Sequence, residues 1–146
     1  MYEYRTIIKR VVDGDTVDVD IDLGFDIVLT NQRIRLYGID TPESRTRDEV
    51  EKKYGIAAKE FVKIFLKEGK PATIKTHKDA TGKFGRLLGE FMVYDIITDR
   101  QMSLKDIMIR EHHGVAYFGQ SKEDIQEAHI KNRELVDLSG YITTGD

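Results

Sequence analysis

Three short segments of the sequence combine acidic and arginine side chains in a pattern suited to phosphoryl chemistry. They are Asp13-Gly14-Asp15-Thr16, the run Arg35-Leu-Tyr-Gly-Ile-Asp-Thr-Pro-Glu43, and Lys83-Phe84-Gly85-Arg86. Hard cations such as calcium and magnesium take oxygen ligands, which carboxylates supply, and the planar fork of an arginine binds two phosphate oxygens at once. Together the three segments predict a metal-dependent phosphodiesterase.

The candidate acids are Asp15, Asp40 and Glu43. Asp15 follows a glycine turn, and the other two flank Thr41-Pro42 at the end of a strand. Pro42 fixes its own φ and biases Thr41 toward an extended backbone, so this loop should be stiff. The alternative is that Asp13 and Asp15 only form a turn and that Glu43 is a solvated loop residue.

The candidate phosphate-binding residues are Arg35 and Arg86. Arg35 interrupts a mostly apolar strand, and Arg86 follows Gly85 at the start of another. Each arginine taken alone suits a structural or edge position. Beside three acids, however, the pair suits a phosphate clamp next to a metal, because lysine cannot imitate the bidentate guanidinium.

Composition limits the class of protein. The chain has 146 residues, 40% hydrophobic and 34% charged, and we interpret residues 1–146 as a single domain. Cysteine is absent, which excludes a thiolate metal site and a cysteine nucleophile. No apolar run suits a membrane span, and the first residues do not resemble a signal peptide, so we expect a protein that is cytoplasmic or secreted with its leader removed. The net charge of −3 argues mildly against tight nucleic-acid binding, although a local basic groove would suffice.

Hydrophobic periodicity predicts strands, a helix, more strands and two further helices. The expected strands are Thr6–Val12, Val17–Asp22, Phe25–Leu29, Ile34–Ile39, Ala72–Thr76 and Leu87–Tyr94. The expected helices run from Lys53 to Glu68 with Gly69 as the C′ residue, from the cap Ser103 to a stop at Gly114, and onward from the cap Ser121. Short strands separated by glycine turns suggest a small barrel.

The histidines and one tyrosine are weaker candidates. His112 and His113 are interpreted as a structural helix end, where positive charge suits the helix dipole, and His77 and His129 have no partner at metal-ligand spacing. Tyr117 suits either a stacking platform for a base or a position in the core.

The three motifs, in this order, resemble those of the staphylococcal nuclease (thermonuclease-like) family over roughly residues 5 to 138. The resemblance implies an α+β, mainly β architecture, an OB-fold barrel of five strands with three helices. It also implies calcium-dependent hydrolysis of DNA and RNA that leaves 3′-phosphate ends. We further expect a monomer that does not associate with membranes.

The resemblance also implies roles for individual residues. Asp15, Asp40 and the Thr41 carbonyl would bind calcium, and Glu43 would be the general base or would order the attacking water. Arg35 and Arg86 would neutralise the phosphate, Lys83 would contact a terminal phosphate, and Tyr117 would pack on a base or sugar.

The sequence departs from the family pattern at three places. Gly119 replaces a second aromatic residue, Phe84 replaces a tyrosine, and the hairpin from Asp20 to Asn31 is longer. The alternative functions are an OB-fold module that binds nucleic acid or a protein without catalysis, and a calcium-stabilised structural domain. The presence of both arginines with all three acids favours the nuclease.

Overall fold

A computed structural model describes residues 2–81 and 87–141 of the chain, and the statements below refer to these residues. The strands are β1 (Tyr2–Asp13), β2 (Thr16–Gly24), β3 (Ile27–Leu36), β4 (Ile39–Asp40), β5 (Pro71–Thr81), β6 (Leu87–Asp95), β7 (Arg100–Ser103) and β8 (Val115–Ala116). The helices are α1 (Glu49–Phe65), α2 (Leu104–Arg110) and α3 (Lys122–Arg133), followed by a 3₁₀ turn at Leu138–Tyr141.

Five of these strands form a closed sheet. The strand order is β3-β2-β1-β5-β6-β7, with antiparallel neighbours, and β3 also pairs with β6 in parallel. That parallel pairing joins the first strand of the order to the fifth, so the sheet curls round on itself and leaves β7 as an appended edge. The predicted fold class, a mainly β OB-fold barrel with three α-helices, is confirmed.

The alternation of β2 shows why the barrel has an apolar interior. Val17, Val19 and Ile21 are buried, whereas Asp18 and Asp20 between them are only half-buried and form ion pairs on the outside. This is the period-two pattern of a strand with one face on the core. The same core contains residues from other strands and from α1 and α2, among them Ile8, Ile34, Phe91, Val62 and Leu104.

One continuous strand, β3, replaces the two strands predicted at Phe25–Leu29 and Ile34–Ile39. The polar residues between them stay in the sheet because their backbone pairs with β2, for example Gln32 with Val19. Such pairing needs no burial, so hydrophobic periodicity did not reveal it. The chain then bends at Gly38, whose φ is +79°, and Ile39 begins the short strand β4.

The helix boundaries also differ from the prediction. α1 begins at Glu49 because the Asp48 carboxylate accepts hydrogen bonds from the backbone N–H groups of Val50 and Glu51. It ends at Phe65, so Gly69 is not its C′ residue and lies in the turn before β5, where its N–H donates to the Ile8 carbonyl (2.7 Å).

The other two predicted caps have different outcomes. The Ser121 hydroxyl accepts from the Asp124 N–H (3.1 Å) and begins α3 as predicted. Ser103 precedes α2 without a side-chain capping bond, and α2 ends at Arg110, before Gly114. In the parts of the chain described, none of the helices has the length and apolar character needed to cross a membrane.

Candidate active site

The turn between β1 and β2 places the first acidic side chain. The Asp13 carboxylate accepts from the Gly14 N–H (3.0 Å), so Asp13 is a turn-forming residue. A Cβ atom at Gly14 would lie 3.0 Å from Thr41 Oγ1 and 3.0 Å from the Cβ of Ala58. Glycine therefore lets the turn approach both the loop after β4 and helix α1, and Asp15 follows it directly before β2.

Strand pairing brings Arg35 to that turn. Arg35 is the partner of Thr16 in the β2–β3 register, and the Leu36 N–H donates to the Asp15 carbonyl (2.9 Å). The Arg35 guanidinium contacts the Asp15 carboxylate through Nη1, and its Nη2 lies 3.7 Å from Asp40 Oδ1. Its side chain is 22% exposed, against 48% for Arg33 on the same strand. Arg35 is thus a positioned cation facing two carboxylates.

Asp40 belongs to β4 and is held by elements distant in sequence. Its backbone pairs with Val115 of β8, and its Oδ2 lies 2.7 Å from Nε2 of His129 on α3. The next residue, Thr41, is buried, and its hydroxyl oxygen has no hydrogen-bond partner among the described residues. An orphaned buried oxygen on the residue that follows Asp40 is chemically suited to a further ligand.

Burial and mutual repulsion change the proton affinity of the acids. Burial raises the pKa of Asp15 above its usual range, more than the adjacent Arg35 cation lowers it, and the charges of Asp13 and Asp40 raise it further. The pKa of Glu43 is also raised, first by partial desolvation and then by the negative charges of Asp13, Asp15 and Asp40. Glu43 therefore lies within electrostatic reach of the same acids, although its side chain is exposed.

The donor atoms suit a hard divalent cation in type. Asp15, Asp40 and Thr41 supply oxygen only, which is the ligand chemistry of calcium and magnesium. Within residues 2–81 and 87–141, no cluster of three or more histidine, aspartate or glutamate side chains is arranged to hold a metal ion. In this arrangement the Arg35 guanidinium balances the two carboxylates that were predicted as ligands.

The remaining predicted site residues divide into two groups. Tyr117 is 47% exposed, so the core position considered for it is wrong, and its N–H donates to the Gly38 carbonyl (2.9 Å). The adjacent Phe118 is 81% exposed. Lys83 and Arg86 lie outside the described residues.

Two histidines differ from their sequence-based interpretation. His113 is buried and stacks on Phe61, with ring centroids 4.5 Å apart, and burial lowers its pKa to about 4. It is therefore neutral near pH 7, and the prediction that it serves as a cation at a helix end is wrong. His129 was missed as a site residue. Its spacing of four residues after Ile125 and three before Asn132 would have placed it on the inner face of α3.

The closed sheet and the acid–arginine cluster at the β1–β2 turn together define an OB-fold protein with a candidate phosphoryl-transfer site. Residues 33–136 match the family model described as "Staphylococcal nuclease homologue", and the chain belongs to that family. The predicted family is therefore confirmed. The matched range includes Arg35, Asp40, Thr41, Glu43 and Tyr117. Asp15 lies before the matched range and contacts it through the ion pair with Arg35.

Curated relatives agree with this assignment. The chain is 29% identical to Endonuclease YhcR of Bacillus subtilis over 86% of its own length and 10% of the relative. It is 37% identical to Thermonuclease of Staphylococcus intermedius over 56% of this chain and 45% of the relative. It is 29% identical to the SPbeta prophage-derived endonuclease YokF of Bacillus subtilis over 93% of this chain and 45% of the relative. The chain thus spans less than half the length of each of these three relatives.

Proposed function

We propose that this chain is a nuclease that hydrolyses phosphodiester bonds of DNA and RNA, with calcium as its cofactor and 3′-phosphate ends as products. The observation that carries the proposal is the position of the Arg35 guanidinium against the carboxylates of Asp15 and Asp40. The family and the relatives named endonuclease and thermonuclease support it. A purely structural calcium domain would have no use for an arginine held at that point.

Asp15, Asp40 and the Thr41 carbonyl would hold the cation. These residues fit by donor type, and the buried Thr41 hydroxyl without a partner among the described residues leaves polar capacity beside them. Bound calcium would supply positive charge that offsets the charge of a phosphoryl oxygen. The raised pKa of Asp15 indicates that burial of this carboxylate costs free energy when no cation is present.

Arg35 would bind the scissile phosphate and stabilise the charge that develops as the bond breaks. Its contacts orient the guanidinium before substrate arrives, which is the condition for electrostatic preorganisation. In other enzymes, removal of one preorganised donor of this kind costs ~2.7–4 kcal/mol of transition-state stabilisation. Arg86 would be the second donor, and both would shield the phosphate from the nearby acids.

Glu43 would accept a proton from the attacking water. Its raised pKa suits this role, because a carboxylate with a higher pKa is a stronger general base near neutral pH. Its exposure leaves room for water and substrate. Tyr117 would pack against a sugar or base on the exposed surface it occupies, and Lys83 would contact a terminal phosphate.

Digestion of supercoiled plasmid, single-stranded DNA and RNA, each in calcium and in EDTA, tests the proposal. We expect cleavage of all three in calcium only, with products that a polymerase extends only after 3′-phosphatase treatment. Arg35→Lys should abolish cleavage, whereas Arg33→Lys, a matched change on the exposed part of the same strand, should not.

Two results would contradict the proposed activity. Undiminished cleavage in EDTA would exclude calcium as the required cofactor. Retarded migration of the nucleic acids without cleavage under any condition would favour the alternative function, an OB-fold module that binds without catalysis.

A further inference from the structure

His129 occupies an unusual position on α3. It is the one buried residue that this helix has in the described structure, with 6% of its surface exposed. The rest of the helix is half-buried or exposed and lies at the surface. It is joined to its neighbours by a hydrogen bond from Asn132 Nδ2 to the Gly114 carbonyl (3.3 Å) and one from the Tyr54 hydroxyl to the Arg133 carbonyl (3.2 Å). Docking of α3 therefore does not depend on His129 alone.

The imidazole of His129 is directed at the candidate site. Its Nε2 lies 2.7 Å from Asp40 Oδ2, although the two residues are 89 positions apart. An ionised carboxylate can only accept hydrogen bonds, so Nε2 carries the proton and donates it. The other ring nitrogen, Nδ1, is buried with no hydrogen-bond partner among the described residues. The ring is thus committed to one polar contact, and that contact is with Asp40.

The two oxygens of Asp40 consequently have different partners. Oδ2 accepts from His129, and Oδ1 faces the Arg35 guanidinium at 3.7 Å. The backbone of Asp40 is held by the two cross-strand pairs of β4, but this pairing does not fix the rotation of the side chain. A hydrogen bond at Oδ2 therefore sets the rotation of the carboxylate and directs Oδ1 toward Arg35 and Asp15.

We propose that His129 is a positioning residue for Asp40, which holds the carboxylate in the orientation needed to bind the cation. This inference rests on the proposed function. Outer hydrogen-bond partners of metal ligands typically change metal affinity about 10–100-fold when they are removed. The same loss is expected here, because an Asp40 carboxylate free to rotate must be reoriented each time that a cation binds.

The proposal is tested by titrating the parent and four variants with calcium in the absence of substrate. Calorimetry gives the Kd for calcium of each protein. His129→Leu fills the position with an apolar side chain that lacks the donor, and we expect its Kd for calcium to rise about 10–100-fold. His129→Gln places an amide donor near the position of Nε2 and should keep the Kd within about threefold of the parent value. That remaining loss is less than the tenfold change in Kd that corresponds to about 1.4 kcal/mol.

The two other variants are matched controls. His113→Leu removes a buried imidazole elsewhere, and Asn132→Ala removes another tether of α3. The contacts described for them are with the Phe61 ring and the Gly114 carbonyl, so both should bind calcium as the parent does. Thermal melts in EDTA report any loss of stability separately from the loss of affinity. Plasmid cleavage should show the His129→Leu defect shrinking as calcium is raised, with KM for DNA unchanged.

The possible results distinguish a positioning role of His129 from a role in docking α3 and from failure of the proposed function. An unchanged Kd in His129→Leu would overturn the proposal while leaving the nuclease function intact. Equal weakening in His129→Gln, His129→Leu and Asn132→Ala would mean that His129 only docks the helix. A parent protein that neither binds calcium nor cleaves DNA would overturn the proposed function and this inference together. If His129→Leu does not fold, His129→Asn, whose amide is too short to reach Asp40, replaces it, and parent-like affinity in that variant overturns the proposal.

Discussion

The backbone of Glu43 rests against Gly55, a residue in the middle of α1. A side chain at Gly55 would overlap the Glu43 carbonyl, and its Cβ would lie 2.6 Å from the Ser44 nitrogen. Glycine in a helix interior costs about 1 kcal/mol relative to alanine, so its presence here reflects close packing of helix and loop. Helix α1 therefore sets the position of the proposed general base, together with the rigid Pro42 before it.

Gly55→Ala should displace the loop that carries Glu43. Overpacking of this kind costs about 1–3 kcal/mol, at least as much as the roughly 1 kcal/mol that alanine gains in an unconstrained helix. We expect a lower melting temperature and cleavage reduced about tenfold or more, since a misplacement of 1 Å is enough for a loss of that size. Lys53→Ala, an exposed change in the same helix, is the control. A more stable and fully active Gly55→Ala protein would show that the loop does not depend on this contact.

Asp15→Asn should separate calcium binding from folding. The change removes a carboxylate whose pKa is raised by burial, so the variant should be at least as stable as the parent in EDTA. It should also be inactive. At calcium concentrations a hundred times its Kd, the parent should gain about 2.7 kcal/mol, and the variant almost nothing. Thermal melts of both proteins in calcium and in EDTA measure these differences. A variant that is destabilised in EDTA yet keeps its calcium response would make Asp15 a turn residue only.

Arg86→Lys should abolish turnover and leave the fold intact. A lysine keeps the positive charge but not the bidentate fork, and loss of one preorganised donor reduces kcat about 10²–10³-fold. Initial rates of plasmid cleavage measure the effect, and far-ultraviolet circular dichroism checks the fold. The control is Arg100→Lys, an exposed position on β7. Activity within tenfold of the parent would remove Arg86 from the mechanism.

His113 should make the fold sensitive to mild acid. Its pKa is about 4 in the folded protein and about 6.5 in the unfolded chain, so the unfolded state takes up a proton first as the pH falls. The contribution of His113 to stability is complete above pH 6.5 and is lost progressively down to pH 4, by about 3 kcal/mol in total. His113→Gln should flatten this part of the curve of unfolding free energy against pH, and His112→Gln should not. Identical profiles of unfolding free energy against pH for parent and His113→Gln would contradict the assignment of this acid sensitivity to His113.

Local patterns in the sequence determined much of the architecture. The alternation of Val17, Val19 and Ile21 with acidic residues predicted β2 and its buried face, and the Ser121 cap marked the start of α3. These features are readable because periodicity and capping act over a few residues. The order of the three motifs likewise predicted the family to which the chain belongs.

Only the tertiary structure decided which of these local features meet. Pairing of Thr16 with Arg35 brings the β1–β2 turn to the arginine, and docking of α3 brings His129 to Asp40. Gln32 also belongs to β3 through a distant contact, because strand β2 satisfies its backbone hydrogen bonds without burial of its side chain. A hydrophobic pattern shows which face of an element is buried, but not which distant element covers it. That information lies in strand register and helix docking, which depend on the whole chain.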